Sequence, residues 1–68
     1  MSSAIERIVV AYVKLGNRQA LEDLIDHRER IAFDIRGRRD FNFGPTLEIL
    51  DAEIRVAKAG LEQISVLT

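Results

Sequence analysis

The stretch "IAFDIRGRRDFNF", residues 31–43, decides the fold of this chain. It holds all three phenylalanines, with Arg36, Arg38 and Arg39 grouped around Gly37. Read with a helical period, its first half ends a helix over 18–36 that runs out into a Phe-containing loop. Leu21, Leu24, Arg28, Ile31 and Ile35 then fall at spacings of 3, 4, 3 and 4 on one face, with Ala20, Ile25 and Ala32 beside them. The i,i+4 pairs Asp26–Arg30 and Arg30–Asp34 each add roughly 0.2–0.5 kcal/mol. Read with a period of two, Ile31, Phe33 and Ile35 alternate with Ala32, Asp34 and Arg36. A turn at Arg36–Arg39 then leads to Phe41 and Phe43, which alternate with Asp40 and Asn42. The hairpin accounts for Phe33, which a helix points away from its seam. Its Arg-Gly turn is a weaker hairpin signal than Asn-Gly or Asp-Gly. The helix is the expectation and the β-hairpin 31–43 the alternative.

Outward from this stretch the chain reads as helix on both sides. Ser3 with Glu6 forms a capping box, so a helix starts at Ala4. Ile5, Ile8, Tyr12 and Leu15 are spaced 3, 4 and 3 along it, and Val9 and Val13 widen the stripe. Leu15 to Leu21 is a step of six, which changes the phase and predicts a break at Gly16–Asn17. The last segment is the most regular. Leu47, Leu50, Ile54, Ala57, Leu61 and Ile64 keep spacings of 3, 4, 3, 4 and 3, a coiled-coil-like seam. Gly44 and Pro45 suit its N-terminus. Gly60 lies off the seam, where it weakens the helix or allows a close approach. The expected architecture is mostly α: helices at 4–15, 18–36 and 46–66, the last two an antiparallel helical hairpin, in one domain over 1–68. The alternative is α+β, helix – β-hairpin – helix.

Composition narrows the function classes. A 68-residue domain buries only about 60% of its unfolded surface, and the apolar gain roughly offsets a chain-entropy cost of about 1.5 kcal/mol per residue. With no Cys and one His, disulfides are excluded and no zinc site or cofactor is expected. Self-association or docking on a larger partner is the remaining support. No apolar run is long enough to span a membrane, and the acidic Glu6 makes the N-terminus a poor signal peptide. The expected location is the cytoplasm.

Net charge is −1, unevenly spread: residues 28–39 carry +3 and residues 40–68 carry −3. A basic middle and an acidic end can face each other across a hairpin. Arg28 occupies a seam position between Leu24 and Ile31. A buried charge without a partner is costly, and in a hairpin closing near Phe41 the facing residue is Glu53. Such a pair can set register or oligomeric state.

Little supports an enzyme. There is no Cys nucleophile, G-x-S-x-G, phosphate loop or HExxH. His27 has Asp23 at i−4, yet it sits among charges off the apolar face. For nucleic acid, Arg36, Arg38 and Arg39 with Phe41 and Phe43 are the best candidates. The slightly acidic balance of the whole chain argues against that partner.

Under the hairpin reading, "RIAFDIRGRRDFNF" followed by "TLEILDAEI", with "ALEDL" before them, resembles the W-type head–tail joining proteins of lambda-like phages. The resemblance covers residues 20–54 and rests on Gly37, Arg38, Arg39, Phe43, Leu50 and Ile54. It implies a helix, a β-hairpin and a second helix, in a non-enzymatic virion connector repeated around a symmetric axis. The chain departs from the family in its additional N-terminal helix. It also carries Asp26–Glu29 where a small residue usually opens the first strand.

The expected function is a non-enzymatic protein–protein assembly module, a homo-oligomer or a small subunit of a larger complex. Its contact residues would be Arg28, Ile49, Leu50, Ile54, Val56, Leu61 and Ile64. Ile49, Val56 and Val9 are the apolar residues that three helices would leave over. The alternatives are head–tail joining and a small nucleic-acid-associated regulator.

Overall fold

The computed structural model describes residues 4–38 and 44–67. They form three helices: α1 (Ala4–Leu15), α2 (Arg18–Arg36) and α3 (Gly44–Leu67). No strand occurs among the described residues. α1 and α2 have the expected bounds. α3 starts two residues before the expected 46, with Pro45 in its first turn, where a missing N–H leaves no bond unmade. Ser3, Arg39, Phe41 and Phe43 lie outside the described residues.

The hairpin alternative is corrected here, because Ile31–Arg36 are helical. Three observations account for it. Ala32 is completely buried. Arg38 pairs with Asp34 at i,i+4, at 3.2 Å. The Gly37 and Arg38 amides donate back to the carbonyls of Phe33 and Ile35, at 3.2 and 3.0 Å. The cost is Phe33, which stays 81% exposed.

The break at residues 16–17 is built by two residues. Gly16 takes the left-handed conformation, φ 64°. Its N–H donates to Val13 O at 3.0 Å and the Asn17 N–H donates to Tyr12 O at 2.9 Å. This is a Schellman ending, which satisfies the last carbonyls of α1. The Asn17 side chain meanwhile accepts from the Ala20 N–H at 3.1 Å, capping α2. One residue thus closes a helix and opens the next.

α3 is the middle element. It packs against α2 along one side and α1 along another, while α1 and α2 touch each other least. The core is Ile5, Val9, Leu21, Ile25, Ala57 and Ile64, with Leu50 and Ala32 buried farther along the hairpin. The buried faces of α1 and α2 are turned relative to the expected ones. α1 buries Ile5 and Val9 with Tyr12 and Val13 against the core, and leaves out Ile8 and Leu15. α2 buries Leu21, Ile25 and Ala32 and exposes part of Ile31. Val9 is therefore core, not surplus.

Gly60 faces α1 and is buried. A Cβ there would lie 2.5 Å from Val9 Cγ1 and 3.2 Å from Val13 Cγ2. The glycine is what lets α1 approach α3 this closely.

Candidate assembly surface

Among the described residues, two of the three ion pairs between α2 and α3 follow the charge distribution and the third, Lys58–Glu29, reverses it. Arg28 Nε lies 3.4 Å from Glu53 Oε1, with both side chains mostly buried. Arg36 reaches Asp51 at 2.9 Å, and Lys58 reaches Glu29 at 3.2 Å. Basic residues of 28–39 thus meet acidic residues of α3. Arg28 Nε is buried and makes no hydrogen bond. It is close enough to Glu53 for Coulomb attraction but too poorly aligned for a hydrogen bond. Arg30 pairs with Asp26 at 3.0 Å, while Asp34 is taken by Arg38.

These pairs bear on the arginine cluster. Arg36 and Arg38, two of the three arginines considered for nucleic acid, are already in ion pairs. Arg39 and the two phenylalanines lie outside the described residues. His27 is exposed, and Asp23 accepts a hydrogen bond from Gln19 at 2.9 Å. Among the described residues no group of three His, Asp or Glu side chains is placed to hold a metal ion. No helix of these residues is long and apolar enough to cross a membrane.

The expected contact residues divide. Leu50 and Ile64 are buried inside the chain, so they hold the monomer together and are not free to meet a partner. Ile54, Val56 and Leu61 are half-buried against the core. Ile49 is 62% exposed.

One apolar stripe left partly uncovered lies at positions whose spacing predicts an interior face. Ile8 is 40% exposed, Leu15 76% and Ile31 37%. Half-buried Tyr12 and Leu24 stand beside them and close the core. On α1 the stripe is Ala4, Ile8, Ala11 and Leu15; on α2 it is Ala20, Leu24 and Ile31, interrupted between Leu24 and Ile31 by the exposed His27. Both repeat at 4, 3 and 4, the spacing of one helix edge.

Both stripes turn to the same side of the molecule. Glu6 and Val10 of α1 line a groove with Ala59 and Gln63 of α3. Glu22 and Glu29 of α2 line a groove with Lys58 and Glu62. These two grooves flank the outward face of α3, so the opposite edges of α1 and α2, which carry the stripes, both look away from it. The missed signal was in the sequence. α1 and α2 carry wider apolar arcs than a single three-helix contact uses, and the surplus edge of each keeps its own heptad spacing.

The fold and surface define a small three-helix domain that leaves an apolar edge partly exposed on α1 and on α2. No family model, curated protein or solved structure matches the chain.

Proposed function

We propose that this chain is a non-enzymatic assembly module that works by self-association of apolar helix edges. The observation that supports the reading is the surface area. A compact 7.7 kDa monomer exposes about 4,300 Å², and this chain exposes 5206 Å². The radius of gyration, 13.2 Å, also exceeds the roughly 11 Å of a compact 68-residue domain. A flat body of 44 × 25 × 14 Å buries little of itself, and a second body on its face would supply the missing burial. The cytoplasm suits a chain that needs no disulfide.

Sedimentation equilibrium across micromolar to millimolar concentration tests this. The expected result is a mass that rises to a defined multiple of 7.7 kDa. A constant monomer mass throughout would remove self-assembly. No observation favours the head–tail joining reading: the positions it needs extended, Ile31–Ile35, are helical. Gly37 and Arg38 end α2, and Leu50 and Ile54 lie on α3.

A further inference from the structure

We infer that the occupant of the α1/α2 face is a second copy of this chain, related by a two-fold axis, with α1 of each copy lying against α2 of the other. The inference rests on the assembly reading above and adds its surface and symmetry.

Area is the first argument. The chain as a whole exposes 5206 Å², about 900 Å² more than a compact monomer of its mass, so burying the roughly 800 Å² per partner of a standard interface would bring it to the ordinary value. Charge is the second. The outer edge of the α1 stripe carries Arg7 and Lys14, and neither is in an ion pair among the described residues. The outer edge of the α2 stripe carries Asp23, whose hydrogen bond goes to the neutral amide of Gln19. Asp34 stands farther along the same edge, already bonded to Arg38.

A basic border on one half of an apolar face and a carboxylate without a cationic partner, Asp23, on the other are self-complementary under a two-fold rotation. The rotation lays α1 over the partner's α2 and makes the contact twice. A side-by-side repeat without the two-fold would use each border once and leave one α1 edge and one α2 edge uncovered. Four other large apolar residues are exposed among the described residues: Val10, Phe33, Ile49 and Val66. Phe33 is set among Arg30, Arg36 and Asp51, whose charges are matched within the chain.

The test is a charge swap read by sedimentation velocity. Lys14→Glu and Asp23→Lys each put like charges together twice in the dimer, and each weakens self-association by roughly tenfold. Mixing the two variants restores opposite charges at both contacts. At one, the introduced glutamate meets the introduced lysine; at the other, the native Lys14 meets the native Asp23. A heterodimer with nearly wild-type affinity is expected. An effect confined to the monomer would not be rescued by mixing. Leu15→Gln, at an exposed position, abolishes association at micromolar concentration, while Phe33→Ser and Ile49→Ser leave it unchanged. Far-UV circular dichroism confirms that each variant is folded.

A wild-type chain that associates but ignores the charge swap and Leu15→Gln overturns this face and leaves self-assembly standing. So does an oligomer dissolved by Phe33→Ser or Ile49→Ser. A wild-type chain that never associates removes the assembly reading itself, and this inference with it.

Discussion

Two glycines carry the sharpest constraints at the scale of single residues. At Gly60, alanine would gain about 1 kcal/mol of helix propensity. Its Cβ would also meet Val9 Cγ1, on a β-branched side chain held in the core, and overpacking of that kind costs about 1–3 kcal/mol. Gly60→Ala is therefore expected to lower stability by about 1 kcal/mol net in urea denaturation, where helix propensity alone predicts a rise. At Gly16 the neighbourhood is empty and the backbone is the constraint, with φ at 64°. Gly16→Ala costs about 1–2 kcal/mol, and Asn17→Ala, which deletes the cap of α2, costs about 1 kcal/mol. The break at these two residues was legible from residue type. The close approach at Gly60 was not: the glycine was visible, but whether it weakened a helix or admitted a neighbour depended on where α1 lay.

The Arg28–Glu53 pair belongs to the scale of elements, because it joins the middle of α2 to α3. Its two members are not equivalent. Glu53→Ala leaves a largely buried guanidinium without a counter-charge and is expected to cost about 1–3 kcal/mol. Arg28→Leu exchanges a misaligned charge for apolar contact, so stability should stay within about 1 kcal/mol of wild type. Denaturation midpoints of the two variants check this order. If Arg28→Leu also leaves helix register and oligomer mass unchanged, the pair has no part in specifying assembly. The partner of Arg28 was deducible because an antiparallel hairpin with a known closing point sets which residues face each other. The phases of α1 and α2 were not deducible. Their apolar arcs are wide enough to serve two neighbouring seams, and choosing Val9 over Ile8, or Ala32 over Ile31, needs the position of α3.

At the scale of the whole molecule, a small core and an extended surface make stability and association one problem. If burial is completed by a second copy, folding is linked to binding by mass action. The thermal midpoint should then climb with protein concentration by several degrees over a hundredfold range. A monomer with a self-sufficient core would show no change. The interior limits what the chain can do alone: Leu21 is the only large side chain fully enclosed among the described residues.

The sequence by itself determined helices on both sides of residues 31–43, the bounds of α1, the start of α2, the joint at Gly16–Asn17 and the pairing of a basic middle with an acidic end. These follow from local backbone preference, from 3.6-residue periodicity and from charges that an antiparallel hairpin must bring together. Only the tertiary structure decided that Ile31–Arg36 stay helical, because burial of Ala32 outweighs the alternation of Ile31, Phe33 and Ile35. It alone decided that Leu50 and Ile64 face inward while Ile8, Leu15 and Ile31 are left at an edge. An apolar arc records that a helix side will be buried; what it is buried against depends on where the other helices lie.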